Sequence, residues 1–328
     1  MEDPTILILG ESRDKSTDLV CQWLKHWDMP FLRLNEENEV NPTVGIVYED
    51  EEIKVSMHKD GIIFNLNKIQ KTWFRRGYFL FRYIGNIPTL TKETNDSIKE
   101  HLSNEGRTLE RFLYYYLSKG ISINHPDNYN YNKLIALREA QKVGLKIPQT
   151  LLSVRPEDII VFLNRQGNCI SKSIQDLMGI KLNNNYASTG ATVRVRKNDL
   201  CPKGHWYSLF QREIKKKYEL RIFYFMGKLF TMAIFSQMDK KSELDFRNVD
   251  VNGNHPNRMV PFNLPNESVH KIRTLMHNLK LESGSIDIIV DNNNDYYFLE
   301  VNPVGQFNFV SEICNYHIEK YIADFLVR

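Results

Sequence analysis

The sequence predicts a mixed α/β (α+β) fold with an N-terminal α/β domain, a small central α/β unit and a strand-rich C-terminal part. Residues 5–10 have the pattern of a buried strand, a helical pattern covers 16–27, and a second strand pattern follows at 31–34. This β-α-β order is typical of a parallel sheet. From residue 208 onward, several strand patterns follow one another. The chain has 328 residues, which is enough for about two domains.

We expect the N-terminal domain to span residues 1–124 as a self-contained α/β unit. Short strand patterns at 44–66 and a strand at 71–76 are followed by a helical pattern at 92–117. The strand at 71–76 carries Trp73 and the adjacent Arg75 and Arg76, which are candidates for a contact between domains. The turn-rich sequence at 124–127 marks the predicted boundary.

The remaining chain divides into a central part, 125–207, and a C-terminal part, 208–328. The central part contains a helix at 131–143 closed by Gly144, a strand at 169–173 and a polar, Asn-rich loop. In the C-terminal part, strands at 208–214, 220–225 and 228–236 precede a loop, a helix at 266–279 and a final hairpin.

Composition excludes several classes of protein. Hydrophobic residues make up 42% and charged residues 25%, which is typical of globular proteins and excludes disordered and collagenous chains. The net charge of +3 does not indicate a polyanionic partner. Basic residues alternate with acidic ones and lack aromatic stacking spacing, so we expect no nucleic-acid partner.

The chain is expected to be cytoplasmic. Its four cysteines form no C-x-x-C pair, which favours a reducing compartment over a disulfide or zinc scaffold. The acidic start lacks the pattern of a signal peptide. No window approaches the roughly 18 consecutive apolar residues of a transmembrane helix, so no membrane contact is expected.

The C-terminal hairpin carries the most informative group, Asp287, Glu300 and Asn302. A register in which Asp291 faces Tyr296 places Asp287 opposite Glu300, and alternation points Glu300 and Asn302 the same way. The opposite face then collects apolar residues for the core: Ile286, Ile288, Val290, Tyr297, Leu299 and Val301.

Two carboxylates facing each other repel, and a divalent cation between them removes that repulsion. Oxygen-only ligands suit Mg²⁺ bridged to phosphates. The alternative is a solvated acidic face on an edge hairpin. Asp291, Asn293 and Asp295 resemble the start of a calcium loop, but Tyr296 stands where that loop requires glycine.

Phosphates would need separate cations, because the sequence has neither a P-loop nor a Rossmann glycine motif. The candidates are Lys133 at a helix start, Lys172 at a strand end, Arg221 in a strand, and Arg247 and Arg258 in a loop. Any one of these lysines, considered alone, is more often a solvated surface charge, and the order of these residues relative to the hairpin favours the phosphate role.

Taken together, these segments resemble the ATP-grasp superfamily. Asn132-Lys133 and Ser171-Lys172-Ser173 are similar to its two ATP-binding lysine segments, and Asp287, Glu300 and Asn302 match its magnesium triad in order and spacing. The resemblance implies a hinge that reads adenine, formed by Gln211, Arg212, Glu213 and Ile214. It further implies that Glu219 contacts ribose and that Arg221 and Arg247 hold the phosphate or reaction intermediate.

A narrower resemblance, to the graspetide synthetases of the grasp-with-spasm type, covers nearly the whole chain. It lies in Trp73-Phe-Arg75-Arg76, in 216–221, in 284–287 and in 298–307. It implies an ATP- and Mg²⁺-dependent ligase that joins Asp or Glu side chains of a ribosomal precursor peptide, with leader and core, to Ser, Thr or Lys side chains. A homodimer is also implied.

Two other functions are compatible with the same residues. One is a ligase that adds free amino acids to a protein or small acid, and the other is a non-catalytic nucleotide-binding protein. D-Alanine ligases carry arginine two residues before the first metal-binding acid, where this chain has Ser285. That difference disfavours a small-molecule ligase, and the intact triad disfavours a non-catalytic protein.

Overall fold

A computed structural model describes residues 4–35, 43–50, 52–59, 61–81, 85–128, 132–175, 178–182, 185–189, 192–200, 206–237 and 257–328. The helices are α1 (Lys15–His26), α2 (Lys92–Leu117), α3 (Lys133–Lys142), α4 (Pro156–Gln166), α5 (Asn266–Asn278), α6 (Asn308–Cys314) and α7 (Ile318–Val327).

The strands of the described residues lie in five sheets. They are β1 (Ile6–Gly10), β2 (Phe31–Asn35), β3 (Thr43–Glu49), β4 (Glu52–Lys59), β5 (Ile62–Asn65), β6 (Lys71–Phe74), β7 (Ile121–Ile123), β8 (Thr150–Ser153), β9 (Cys169–Lys172), β10 (Met178–Leu182), β11 (Asn185–Thr189), β12 (Val193–Val195), β13 (Ser208–Arg212), β14 (Lys216–Phe225), β15 (Lys228–Phe235), β16 (Arg258–Pro261), β17 (Ser283–Asp291) and β18 (Tyr296–Asn302).

The N-terminal part contains a parallel sheet in the order β2-β1-β6-β7. Every residue of β1 is buried, because both faces of this sheet are covered. Leu7 and Leu9 pack with α2 and the antiparallel β3-β4-β5 sheet. Ile6 and Ile8 face the other way and pack with Phe223 and with residues of α6 and α7. The core of the N-terminal part therefore continues into the C-terminal part, and the domain bounds 1–124, 125–207 and 208–328 stay a prediction.

The central part has a sheet in the order β12-β9-β13-β8 and a separate β10-β11 hairpin. Helix α4 packs on the sheet through Ile159 and Leu163, which contact Cys169 and Phe210. Pro156 occupies the first turn of α4, where its missing N–H costs nothing. Lys172 at the end of β9 and the segment 211–215, which runs from β13 to β14, lie at the boundary with the C-terminal part.

The C-terminal sheet is antiparallel, with the order β16-β15-β14-β17-β18. One face is apolar and packs on α3 and α5 through residues such as Ile222, Ile286 and Leu275. The other face is split. Its Phe223 and Met232 are covered by α6, α7 and the N-terminal part, while the charged residues Glu219, Arg221, Asp287 and Glu300 lie elsewhere on the same face.

The hairpin of β17 and β18 pairs Asp287 with Glu300, as predicted, and Ser285 with Asn302. The predicted pairing at the turn is wrong, because Val290 rather than Asp291 faces Tyr296. An irregularity between Asp287 and Ile288 joins the two registers, so that β18 contains one extra residue.

This bulge changes which side chains reach the core. Ile286, Ile288, Val290 and Val301 are buried as predicted, and Phe298 joins them with no exposed surface. Tyr297 and Leu299, predicted to lie in the core, are only half-buried. One extra residue shifts the alternation of the strand, which explains both differences.

Helices α6 and α7 were not predicted, although they cover much of the C-terminal sheet. Among the helices of the described residues, none is both long enough and apolar enough to cross a bilayer. The described cysteines Cys21, Cys169 and Cys314 are buried and free.

Candidate active site

The two predicted metal-binding carboxylates lie side by side on the open part of the C-terminal sheet. Asp287 and Glu300 pair across β17 and β18, and their side chains are 13% and 19% exposed. Two residues beyond Glu300 on β18, Asn302 pairs with Ser285 of β17. The Asn302 Oδ1 accepts a hydrogen bond of 3.0 Å from the backbone N–H of Val304.

Arg221 extends this row of charges onto β14, where it pairs with Asp287. Its Nη1 donates to Asp287 Oδ1 at 2.8 Å and to Oδ2 at 2.9 Å. The guanidinium also lies 5.9 Å from the centre of the Phe309 ring. Within the part of the chain that the structure describes, the buried Arg221 Nε finds no hydrogen-bond partner.

Lys133 and Lys172 approach Glu300 from the central part. The Nζ atoms of Lys133 and Lys172 lie 3.3 and 4.0 Å from Glu300 Oε2. Lys133 is the first residue of α3, a helix capped by the Asn132 side chain, and its Nζ also donates to the Ser173 carbonyl at 3.4 Å. Residues that are far apart in sequence thus form one cluster in which three cations surround two carboxylates.

The predicted hinge, 211–214, connects β13 to β14. Gln211 is buried, and its Nε2 donates to Thr150 Oγ1 at 3.0 Å. The backbone N–H groups of Arg212 and Glu213 donate to the carbonyls of Gln149 and Asn168, both at 2.9 Å. The hinge is therefore anchored to the central sheet.

Several hinge residues line a polar cavity of 330 Å³. Arg212, Glu213 and Ile214 line it together with Tyr297 and the hairpin loop at 291–293. The Glu213 carboxylate is held by Arg194, whose Nη2 lies at 2.7 Å. The adenine-reading role of this segment stays a prediction.

Glu219 lies two residues before Arg221 on β14 and is 8% exposed. Its carboxylate forms an ion pair with Lys216 and accepts a hydrogen bond of 3.0 Å from Ser236 Oγ. Burial raises the pKa of Glu219, and the neighbouring Lys216 opposes that rise. The structure therefore brings Glu219 to the same sheet face as Arg221, and its predicted ribose contact stays a prediction.

Two further cations, Arg247 and Arg258, were predicted from the sequence. Arg247 lies outside the described residues. Arg258 begins β16, and its guanidinium lies 5.8 Å from the centre of the Phe235 ring.

Other contacts at the site were not predicted from the sequence. Phe309 comes from the unpredicted helix α6, and no local pattern indicated that it would reach Arg221. The Ser173 carbonyl beside Lys133 was missed for a similar reason, since Lys133 and Ser173 are 40 positions apart. Leu299 lies at the bulge beside Glu300, and the strand pattern gave no signal for the bulge.

The donor set fits a magnesium ion. Asp287, Glu300 and Asn302 supply only oxygen atoms, and hard oxygen ligands suit Mg²⁺. Among the described residues, no group of three or more His, Cys, Asp or Glu side chains could hold a metal. A site made of two carboxylates and an amide would therefore need phosphate oxygens or waters to complete the six ligands of Mg²⁺.

Solved ATP-grasp ligases are similar to this chain over nearly its whole length. A RiPP-associated ATP-grasp ligase from Chryseobacterium gregarium, in complex with ADP and a leader and core peptide, is 24% identical, with a TM-score of 0.80 over 99% of this chain and 96% of that chain. Macrocyclase MdnC from Microcystis aeruginosa MRC, bound with precursor peptide MdnA, is 24% identical, with a TM-score of 0.76 over 98% of this chain and 99% of that chain.

ATP-grasp ligase PsnB, complexed with a minimal precursor, Mg and ADP, is 17% identical, with a TM-score of 0.73 over 100% of this chain and 98% of that chain. No protein-family model and no curated protein matches the sequence. At these identities the likeness establishes the fold. The chain has the ATP-grasp fold, and the predicted fold class is confirmed.

Proposed function

We propose that the protein is an ATP-dependent ligase that macrocyclises a ribosomal precursor peptide, releasing ADP and phosphate. The observation that carries this proposal is the convergence of Lys133 and Lys172 on Glu300, beside the Asp287–Arg221 pair. Acids that can hold a metal and cations that can hold phosphates thereby meet at one place, on a fold whose solved relatives include ATP-grasp ligases.

In this proposal, Asp287, Glu300 and Asn302 hold Mg²⁺, which would neutralise charge on the β- and γ-phosphates. Lys133 and Lys172 bind phosphate oxygens as point charges, in place of their contact with Glu300. Gln211, Arg212, Glu213 and Ile214 bind the adenine, and Glu219 contacts the ribose. These assignments follow the predicted residues and are supported by the positions of the described side chains.

The proposed chemistry has two steps. An Asp or Glu carboxylate of the peptide attacks the γ-phosphorus, an oxygen–phosphorus bond to ADP breaks, and an acyl phosphate forms. A Ser or Thr hydroxyl, or a Lys amine, then attacks the acyl carbon, and phosphate leaves as the ester or amide forms. The nucleophile loses one proton. Arg221 is proposed to hold the acyl phosphate through its planar guanidinium, together with Arg247.

A peptide substrate is supported by what the solved relatives bind. The three described above were solved with a leader and core peptide, a precursor peptide or a minimal precursor, and all three match nearly all of this chain. Ser285, which stands where D-alanine ligases have an arginine, is 1% exposed. Its position in the sheet therefore offers no cation to a small carboxylate substrate.

The test is intact mass spectrometry of the peptide encoded beside the enzyme's gene, after incubation with the enzyme, Mg²⁺ and ATP. Each ring formed removes the mass of one water from the peptide. Glu300→Ala should abolish the loss, and Glu312→Ala, at an exposed carboxylate of α6, should leave it intact. Unchanged peptide mass, with ATP hydrolysed only when free amino acids are added, would instead support the amino-acid ligase.

We also propose a homodimer in the cytoplasm. The reducing compartment is supported by Cys21, Cys169 and Cys314, which are buried and free in the described chain. Light scattering coupled to gel filtration tests the dimer, and a mass of one chain at all concentrations would contradict it.

A further inference from the structure

The turn that follows Asn302 is built around that residue. The Val304 N–H donates to Asn302 Oδ1 at 3.0 Å, and the Gly305 N–H donates to the Asn302 carbonyl at 3.1 Å. The orientation of the Asn302 side chain therefore depends on where the backbone of 303–305 lies.

Two adjacent arginines of the N-terminal part hold this backbone. Arg76 donates from Nε and Nη2 to the Val304 carbonyl at 3.3 and 3.1 Å, and its Nη1 forms an ion pair with Glu11. Arg75 donates from Nη2 to the Gly305 carbonyl at 3.1 Å. Each arginine therefore binds the carbonyl of a residue whose N–H donates to Asn302.

Arg75 also contacts a buried carboxylate and two aromatic rings. Its Nε lies 2.9 Å from Asp14 Oδ2, and the two side chains are 2% and 0% exposed. Its guanidinium lies 6.0 and 5.9 Å from the centres of the Trp73 and Phe307 rings. A buried guanidinium paired in this way stays charged and keeps its geometry.

The turn also packs closely against β17. A Cβ on Gly305 would lie 2.4 Å from both Cβ and Oγ of Ser285. The backbone of Gly305 therefore rests directly on β17, two residues before Asp287. The turn has little room to move, because it packs on β17 and its carbonyls are bound by the two arginines.

We propose that Arg75 and Arg76 are positioning residues that orient Asn302 for magnesium, so that the N-terminal part sets the metal affinity of the C-terminal site. The inference rests on the proposed function, in which Asn302 is a magnesium ligand. Neither arginine touches the metal or the substrate; both act through the backbone of Val304 and Gly305.

Calorimetric titration of ADP at a series of Mg²⁺ concentrations tests this role. Arg76→Met, which removes every donor at similar length, should weaken the apparent Mg²⁺ affinity about 10-fold, as the loss of an outer-shell contact does at other metal sites. ADP binding without Mg²⁺ should not change. Arg76→Lys, which keeps the charge and one donor, should recover part of the loss.

The matched control is Lys15→Met. Lys15 also joins the N-terminal and C-terminal parts, through an exposed ion pair of 2.9 Å with Glu312, but it does not contact the turn. This variant should bind Mg²⁺ and ADP as the wild type does. An equal loss in Lys15→Met would mean that any break between the two parts weakens the site, and would overturn the inference.

Arg75 is tested by Arg75→Lys, which keeps a positive charge beside the buried Asp14 and removes the second branch that reaches Gly305. It should fold and should weaken Mg²⁺ affinity in the same direction as Arg76→Met. Wild-type Mg²⁺ affinity in both Arg76→Met and Arg75→Lys would overturn this inference and leave the proposed function unaffected. A wild-type protein whose ADP binding does not respond to Mg²⁺ would instead overturn the proposed function.

Discussion

Arg221 binds both carboxylate oxygens of Asp287 through one nitrogen, Nη1, at 2.8 and 2.9 Å. The pair joins neighbouring strands of the C-terminal sheet, and Lys133 and Lys172 balance the adjacent Glu300 in the same way. Side-by-side carboxylates would otherwise repel. The cations that stabilise this acidic pair are therefore the ones that the proposed chemistry assigns to phosphates. The two carboxylates and the phosphates compete for the same cations.

Glu300→Gln should tighten ADP binding in the absence of Mg²⁺. The substitution removes the carboxylate that competes with phosphate for Lys133 and Lys172, a partly buried ion pair worth about 1 kcal/mol, which corresponds to about a fivefold change in affinity. The same variant should lose most of the additional affinity that Mg²⁺ provides. Calorimetry with and without Mg²⁺ measures both effects. Glu312→Gln, at an exposed carboxylate, is the control, and weaker metal-free binding by Glu300→Gln would contradict the competition.

Arg221 and Lys172 should differ in the kinetic constant that they control. Lys172→Met should raise the KM for ATP, because the lysine is proposed to bind phosphate in both the ground state and the transition state. Arg221→Met should lower kcat by about 10²- to 10³-fold with little change in the KM for ATP, since it is proposed to hold the anion that forms during reaction.

Phosphate release with the precursor peptide measures both constants, and thermal unfolding shows whether each variant is folded. Arg221→Lys keeps the charge but cannot bind both oxygens of an anion in one plane, so it should fall between the wild type and Arg221→Met. Equal increases in the KM for ATP in Arg221→Met and Lys172→Met would contradict separate roles.

The facing acids could be predicted from the sequence because strand alternation and hairpin pairing are local. The order of Lys133 and Lys172 relative to the hairpin also pointed to the correct cluster. The bulge near Leu299 could not be predicted, since Tyr297, Phe298 and Leu299 are all apolar enough for the core, and the choice among them depends on packing against α3 and α5.

Contacts between distant segments were harder to predict. Helices α6 and α7 are short, and their buried residues pack against the N-terminal sheet. The sequence predicted that this sheet belongs to a self-contained unit, so it gave no reason to expect the contact. The contact of Arg75 with Gly305 joins residues 230 positions apart. The sequence indicated that Arg75 and Arg76 meet another domain, and it gave no signal that the carbonyls beside Asn302 would be their partners.

The bulge itself predicts a difference between neighbouring apolar residues of β18. Phe298 has no exposed surface, so Phe298→Ala should lower the free energy of unfolding by about 3–5 kcal/mol. Leu299→Ala, at a half-buried position, should cost less than about 2 kcal/mol, below the usual range for a fully buried leucine. Denaturant unfolding followed by circular dichroism measures both variants. A regular hairpin would place Leu299 in the core and reverse the order.

Glu219 should make stability depend on pH in the direction opposite to that of an ordinary paired carboxylate. Burial raises its pKa above the ordinary 4.5. A group whose pKa is raised on folding contributes stability that is fully present below its unfolded pKa and is lost as the pH rises through its folded pKa. Glu219→Gln removes this loss. The free energy of unfolding of the variant, relative to the wild type, should therefore increase as the pH rises above 4.5.

Glu139→Gln provides the matched control on α3. The hydrogen bond from Lys142 lowers the pKa of Glu139, so its contribution to stability is present above the unfolded pKa and is lost as the pH falls through the folded pKa. The difference between this variant and the wild type should change with the opposite sign, below pH 4.5. Urea unfolding at a series of pH values measures both differences. A difference between Glu219→Gln and the wild type that stays flat with pH would mean that Glu219 is not desolvated on folding.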